Sequence, residues 1–194
     1  QPVEPDPWPR ALVNTGFYIS RPPLLHALRQ AALKGGRLLL EGEAGVGKTR
    51  LMYEAFRALE PTPRLIFAAG HVYEKHLPYQ AIINTLRHQV LQTEWLALDR
   101  VWAAHLVRLL PELTTLRPDI ATVSNLSAGE TTLSEAVLQL MLVVAKNRRL
   151  LLILDNAHWH DQASLNALTD IINRGFVNQR GLLVLAYRPE ELTP

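Results

Sequence analysis

The residues best suited to chemistry stand in one short stretch, Gly42-Glu43-Ala44-Gly45-Val46-Gly47-Lys48-Thr49. Its glycines allow positive φ and a close approach to a phosphate chain, so that successive N–H groups form an anion nest before a helix. At this spacing the Lys48 ammonium reaches the β- and γ-phosphates, and the Thr49 hydroxyl is placed to bind Mg²⁺. The stretch therefore predicts a P-loop that binds a nucleotide together with Arg50.

A P-loop requires a strand before it and a helix after it, and the flanking sequence supplies both. Residues 38–41 form a short apolar run, and residues 49–59 carry apolar side chains at helical spacing. A chance glycine turn before a helix is the alternative. The eight-residue pattern in its required context argues against that alternative.

A second chemical group closes the most apolar predicted strand, residues 150–155. Asp155 is placed there as a Walker B carboxylate, which orders Mg²⁺ while Thr49 supplies a direct ligand. A simple turn cap is the alternative. The following residue is Asn156, whose amide can orient a water but cannot accept its proton. We therefore expect slow hydrolysis unless another acid acts, and Asp161 is the nearest carboxylate if it is not a helix cap.

Arg188 ends another buried strand, residues 181–188. Ligands collect at the carboxyl ends of parallel strands, so Arg188 could sense the γ-phosphate, with a surface salt bridge as the alternative. Residues 158–161, His-Trp-His-Asp, resemble a metal cluster by composition only, since no other histidine stands in helical register with them. A phosphate or interface role for His158 stays open beside ordinary loop packing.

The elements that must position these groups alternate along the chain. Buried strands are predicted at 38–41, 64–70, 150–155 and 181–188. Helices are predicted from Pro22 to Leu33, at 49–59, 78–90, 95–110 and 165–175, and one near residue 132. Alternating strands and helices with right-handed crossovers predict an α/β fold with a parallel sheet and helices on both faces.

Several local signals fix the expected ends of these helices. Ser20 is a candidate cap for the helix that Pro22 opens. Ser127 and Thr132 each begin a capping box, and one of the two is expected to start the helix that follows.

The composition limits the classes of protein to which the chain could belong. The chain has 194 residues, 48% of them apolar and 20% charged, which suits one globular α/β domain, either alone or with a small appendage. It has no cysteine, which excludes disulfides and fits a cytoplasmic protein. The net charge of +2 is too small to predict direct DNA binding, and no membrane-spanning run or signal peptide is visible. The chain is interpreted as a piece of a larger protein.

Prolines dominate the first residues and predict a lead-in or linker over residues 1–16, followed by the nucleotide-binding domain over 17–194. The short segment that enters the first helix commonly lies beside the nucleotide base. Phe17, Ile19 and Arg21 are therefore candidate adenine contacts, with ordinary packing of a flap as the alternative.

Three segments together resemble the ATPase domain of STAND-type signalling NTPases. They are Leu-Leu-Leu-Glu-Gly-Glu-Ala-Gly-Val-Gly-Lys-Thr-Arg-Leu at 38–51, Leu-Ile-Leu-Asp-Asn-Ala-His-Trp-His-Asp-Gln-Ala-Ser-Leu at 152–165, and Leu-Leu-Val-Leu-Ala-Tyr-Arg-Pro-Glu-Glu-Leu at 182–192. The resemblance is to such domains in large bacterial transcription activators of the LuxR and SARP type. Residues 17–21 resemble that family's Val-Gly-Arg opening motif, with Ile19-Ser20 in place of Val-Gly.

The resemblance implies a P-loop fold of the ASCE branch that binds ATP or ADP with Mg²⁺ and acts as a switch. It implies further domains of the same chain (helical lid, winged helix, sensor and effector) and ATP-driven homo-oligomers. Asn156 replaces the commoner aspartate, so weak ATPase activity is expected. An AAA+ motor acting on DNA or protein and a non-hydrolysing scaffold are the alternatives. A small-molecule kinase is disfavoured because no cluster of lid arginines is visible.

Overall fold

The computed structural model describes residues 5–13, 18–122, 130–146, 148–174 and 181–192. Helices and strands alternate through most of these ranges. The helices are α1 Arg10–Val13, α2 Pro22–Lys34, α3 Lys48–Phe56, α4 Gln80–Gln89, α5 Gln92–Ala97, α6 Arg100–Leu106, α7 Leu113–Leu116, α8 Glu130–Val144 and α9 Gln162–Asn173. The strands are β1 Gly36–Glu41, β2 Arg64–Ala69, β3 Leu150–Asp155 and β4 Gly181–Tyr187. Short 3₁₀ turns occupy Val72–Glu74, Pro118–Thr122, Ala157–Trp159 and Pro189–Glu191.

The four strands form one parallel sheet in the order β1-β4-β3-β2. Val184 of β4 lies opposite Leu38 of β1 on one side and Ile153 of β3 on the other. Parallel pairing brings the carboxyl ends of all four strands to one edge of the sheet, where a ligand site is expected. The predicted parallel α/β fold is confirmed.

Helices cover both faces of the sheet, as predicted. Leu151 and Ile153 of β3 face the cluster that contains α2 and α3, while Leu150 and Leu154 face the cluster that contains α4, α8 and α9. A strand that is buried on both faces needs an apolar side chain at nearly every position, which explains the continuous leucine and isoleucine run of β3. In the described ranges, no helix has the length and hydropathy needed to cross a bilayer.

The proline-rich lead-in is attached to the domain through Trp8. Its indole is 8% exposed and lies 5.5 Å from the ring of Tyr53 and 5.3 Å from the ring of Phe67, between ring centroids. The short helix α1 follows it. The division into a lead-in of residues 1–16 and a domain of residues 17–194 stays a prediction.

The single helix predicted over residues 95–110 is wrong, because the chain forms α5 and α6 with a break between them. Leu98 has an extended backbone with ψ of 136°, and the Asp99 carboxylate accepts a hydrogen bond from Val101 N at 2.8 Å. An aspartate that caps a new helix competes with continuation of the old one. Apolar spacing alone did not reveal this break.

Two predicted helix caps also differ from the structure. The residue before α2 is Arg21, and α2 has no side-chain cap, so Ser20 does not cap it. Pro22, however, lies in the first turn as predicted. Helix α8 begins at Glu130, which places Thr132 inside the helix, and Ser127 lies outside the described residues.

Candidate functional site

The P-loop connects β1 to α3 at the carboxyl edge of the sheet. Gly45 and Gly47 have φ of 76° and 89°, values that L side chains rarely adopt. A Cβ at Gly42 would lie 3.1 Å from the Val46 Cγ2 atom. The strand, loop and helix therefore stand in the order that the sequence predicted. The loop backbone is wound tightly at the N-terminus of α3, which begins at Lys48.

The Lys48 ammonium folds back across this loop. Its Nζ atom donates hydrogen bonds to the carbonyl oxygens of Gly42 at 2.6 Å and Glu43 at 3.0 Å. These contacts hold the positive charge above the loop, at the place where phosphate oxygens would meet it. A helix N-terminus adds its own positive potential to that of the lysine.

The Thr49 hydroxyl donates a hydrogen bond of 2.5 Å to the Oδ2 atom of Asp155. Asp155 ends β3 and is 5% exposed, and its Oδ1 atom accepts a hydrogen bond from Asn156 N at 3.0 Å. The fold thus brings together two oxygen groups that lie more than a hundred residues apart in sequence. Hydroxyl and carboxylate oxygens are the ligand types that Mg²⁺ prefers.

Asn156 lies at a sharp turn directly after β3. Its backbone is left-handed, with φ of 52°, and its carbonyl oxygen accepts a hydrogen bond from Trp159 N at 2.8 Å. A Cβ at Gly70, which follows β2, would lie only 2.5 Å from that carbonyl oxygen. The backbone at Gly70 therefore packs closely against the backbone of Asn156 and helps to hold Asn156 in place at the cleft.

Arg188 follows β4 and is held by three neighbours. Its guanidinium lies 4.8 Å from the centroid of the Trp159 ring, and its Nη1 atom lies 2.6 Å from the Oε1 atom of Glu191. Its backbone N–H donates to the Nδ1 atom of His158 at 3.4 Å. Partial burial would raise the pKa of Glu191, but the hydrogen bond and the charge of Arg188 outweigh it and lower that pKa.

A cleft of about 190 Å³ collects most of the predicted groups. Its lining residues are Leu12, Gly45, Gly47, Lys48, Thr49, Arg50, Asp155, Asn156 and Arg188. Glu43, Ala44 and Val46 lie in the exposed outer part of the P-loop.

Two of the three predicted base contacts, Ile19 and Arg21, fall within the described residues, and neither lies in the cleft. Ile19 is 81% exposed. Phe17 lies outside the described residues. A role for these three residues in holding adenine stays a prediction.

The lead-in reaches this cleft, which no sequence pattern predicted. The Arg50 Nη1 atom donates to the carbonyl oxygen of Leu12 at 2.7 Å, and the same guanidinium lies 5.8 Å from the centroid of the Tyr18 ring. Arg50 also pairs with Glu54 at 2.6 Å. Leu12 stands in no motif, so only the folded arrangement could identify it.

The end of the loop after Asp155 has a structural role. The Asp161 carboxylate is 2% exposed and caps α9, since its Oδ1 atom accepts from Ser164 N and Tyr79 N, both at 2.8 Å. Its role as a helix cap is confirmed, and its buried carboxylate does not line the cleft, so the structure lends no support to the alternative catalytic role. Burial lowers the pKa of His160, whose Nε2 atom lies 3.2 Å from the Asp155 carbonyl oxygen.

His158 is the better placed of the two histidines for a role near the site. Its side chain is 1% exposed, and its Nε2 atom lies 3.6 Å from the Glu191 Oε2 atom. Burial lowers the pKa of His158, and the charges of Arg188 and Lys48 act in the same direction. The Nδ1 atom of His158 accepts a hydrogen bond from the Arg188 backbone and so supports that residue.

Comparison with models of known protein families matches the chain to the AAA ATPase domain over residues 21–185. This range is most of the chain, and it contains the P-loop and the Asp155 strand. Leu12 and Arg188, which both line the cleft, lie just outside it. A comparison with curated proteins finds no match.

Proposed function

The chain belongs to the AAA ATPase domain family, and from this premise we propose that it is an ATP/ADP-binding switch module of a signalling or transcription-regulatory protein. We propose that it hydrolyses ATP slowly and with Mg²⁺. The observation that carries the proposal is the composition of the cleft. Lys48, Thr49 and Asp155 supply phosphate and metal groups, and Arg188 faces the same space, but an amide stands where a catalytic carboxylate would be needed.

The phosphate and metal groups fit their proposed ligands. Positive φ at Gly45 and Gly47 winds the loop tightly, and a loop wound in this way can present its backbone N–H groups to an anion. Thr49 and Asp155 would hold Mg²⁺, because their oxygens already meet in the cleft. When bound, Mg²⁺ would neutralise charge on the phosphate oxygens that it contacts.

Slow turnover follows from Asn156. Among the described residues that line the cleft, Asp155 is the one carboxylate, and it is engaged with Thr49. Asn156 can hold a water by hydrogen bonds but cannot take its proton. A positioned general base typically contributes about 10²–10⁴-fold to a rate. We therefore expect hydrolysis that is slower than that of an energy-consuming motor by a factor in this range.

Arg188 supports the switch role. It stands at the end of β4, beside the strand that carries the P-loop, so its guanidinium could bind the terminal phosphate of ATP, a group that ADP lacks. Guanidinium groups bind phosphate in a bidentate manner and so distinguish a third phosphate well. ATP and ADP would then stabilise different conformations of the segment that follows β4.

The first test is nucleotide binding by calorimetry. Wild type should bind Mg-ADP and a slowly hydrolysed ATP analogue, and Lys48→Ala should lose both. Lys34→Ala, which removes an exposed lysine at the end of α2, is the matched control and should bind as wild type does. Equal binding by wild type and Lys48→Ala would refute the proposal.

The second test separates the switch from its alternatives. Phosphate release should be measurable but slow. Arg188→Ala should lower the affinity for the ATP analogue more than the affinity for ADP. Rapid release by a ring-shaped assembly would favour an AAA+ motor instead. Nucleotide binding with no turnover, even in the full-length protein, would favour a non-hydrolysing scaffold, which Asn156 also permits.

The resemblance noted in the sequence supports two further parts of the proposal. We propose that lid, winged-helix, sensor and effector domains of the same protein respond to the bound nucleotide, and that ATP promotes homo-oligomers. The absence of cysteine and the small net charge support one more part: we propose that the protein works in the cytoplasm without direct DNA contact by this segment. Size measurement of the full-length protein with ADP and with the ATP analogue would test the oligomer.

A further inference from the structure

Two adjacent carboxylates contact anion-binding groups, one in the outer part of the P-loop and one in the cleft. The Glu190 Oε1 atom accepts a hydrogen bond of 3.2 Å from Ala44 N in the P-loop. The Glu191 Oε1 atom lies 2.6 Å from the Arg188 Nη1 atom. Both groups are ones that the proposed function assigns to phosphate.

A short 3₁₀ turn directs the two carboxylates in different directions. Pro189 opens this turn, and Glu191 N donates to the Arg188 carbonyl oxygen at 3.2 Å, which closes it. Residues three apart in a 3₁₀ turn lie on the same side, so Glu191 meets Arg188. Glu190, one position earlier, projects away from that side and reaches across to the P-loop.

The contact with Arg188 is well supported on several sides. Trp159 packs against the guanidinium at 4.8 Å, and the His158 Nε2 atom lies 3.6 Å from the second Glu191 oxygen. Arg188 and Glu191 are 22% and 31% exposed in their side chains. The pair is therefore partly shielded and yet accessible to a ligand that enters the cleft.

Carboxylate and phosphate use the same donors. A guanidinium binds either one through paired N–H groups, and a backbone N–H donates a hydrogen bond to either kind of oxygen. A terminal phosphate that binds Arg188 must therefore displace Glu191 from it. A phosphate chain that settles on the P-loop competes with Glu190 for Ala44 N and is repelled by its charge.

We propose that Glu190 and Glu191 are internal competitors of the nucleotide phosphates and that Glu191 sets the preference between ATP and ADP. This inference rests on the proposed function of the cleft. Displacement of Glu191 by the third phosphate moves the turn at Pro189–Glu191, so the segment after β4 reports which nucleotide is bound.

The test is calorimetry with Mg-ADP and with the ATP analogue on Glu190→Gln and Glu191→Gln. Ion pairs at an exposed surface are weak, so the loss of one is expected to change an affinity by about 1.5- to fivefold. Glu191→Gln should therefore bind the ATP analogue about two- to fivefold more tightly than wild type does. Its affinity for ADP should stay within about 1.5-fold of the wild-type value. Glu190→Gln should raise the affinity for both nucleotides by a similar factor, because the P-loop binds the phosphates that ATP and ADP share.

Two further variants test whether the change in affinity depends on the contact between Glu191 and Arg188. Most of the gain from Glu191→Gln should vanish in an Arg188→Ala background, because the competitor then has no guanidinium to hold. Glu112→Gln is the matched control, since Glu112 forms an exposed pair with Arg87 at 2.6 Å outside the cleft. It should leave both affinities unchanged.

The outcomes separate this inference from the proposed function. If wild type binds nucleotide and Lys48→Ala does not, while Glu191→Gln leaves the ATP affinity unchanged or weaker, the inference alone is overturned. If Lys48→Ala binds as wild type does, the proposed function itself fails. Near-equal melting temperatures of the glutamine variants and wild type would show that the comparison is between folded proteins.

Discussion

The hydrogen bond between Thr49 and Asp155 makes a prediction that concerns stability and metal binding together. Thr49→Ala removes the hydroxyl that donates to the Asp155 carboxylate at 2.5 Å. Thr49→Ser keeps this hydroxyl and removes only a methyl group. The comparison of the two variants therefore isolates the hydroxyl.

The magnitude follows from the burial of the acceptor. Asp155 is 5% exposed, and after the loss of the hydroxyl its carboxylate keeps the bond from Asn156 N. A hydrogen bond to a charged group contributes about 2 kcal/mol to the free energy of unfolding. The higher helix propensity of alanine relative to serine offsets about 0.5 kcal/mol of that loss. Thr49→Ala should therefore be about 1.5 kcal/mol less stable than Thr49→Ser, which is about 3–6 °C in Tm for a chain of this size.

The assay is thermal unfolding without nucleotide, followed by calorimetry with the ATP analogue in the presence and absence of Mg²⁺. Thr49→Ser should retain the increase in affinity that Mg²⁺ gives, and Thr49→Ala should lose about tenfold or more of it. Equal Tm values and equal Mg²⁺ dependence for the two variants would refute the pairing of Thr49 with Asp155. A loss of stability with intact Mg²⁺ dependence would refute only the metal role.

Three other predictions follow from single residues. Asn156→Asp should raise phosphate release about tenfold or more, because it adds a carboxylate that can take a proton; an unchanged rate would show that the amide does not limit turnover. Trp8→Ala should lower the free energy of unfolding by about 3 kcal/mol, since its indole packs edge-on against Tyr53, and denaturant titration would measure this; an unchanged midpoint would mean that the lead-in is detached in solution. Burial lowers the pKa of His160, so the unfolded chain takes up a proton first and stability falls as the pH drops below 6.5. His160→Gln should flatten the dependence of Tm on pH, and an unchanged slope would contradict this.

Much of the fold could be predicted because its signals are local. The run of residues 150–155 is apolar at almost every position, and that pattern alone predicts a strand buried on both faces. The glycine spacing around Lys48 predicts a wound loop for the same reason, since backbone conformation depends mainly on the residues themselves. The boundary of α5 and α6 was missed because Asp99 can sit either within a helix or at its cap.

By itself, the sequence determined the parallel sheet, the P-loop and the identity of the groups that could bind phosphate and metal. Only the tertiary structure decided how those groups are engaged. It placed Leu12 of the lead-in at the cleft, buried Asp161 as a cap, and turned Glu190 and Glu191 toward the P-loop and Arg188. The physical reason is that such contacts join segments far apart in the chain, so their geometry depends on how the strand ends meet at one edge of the sheet.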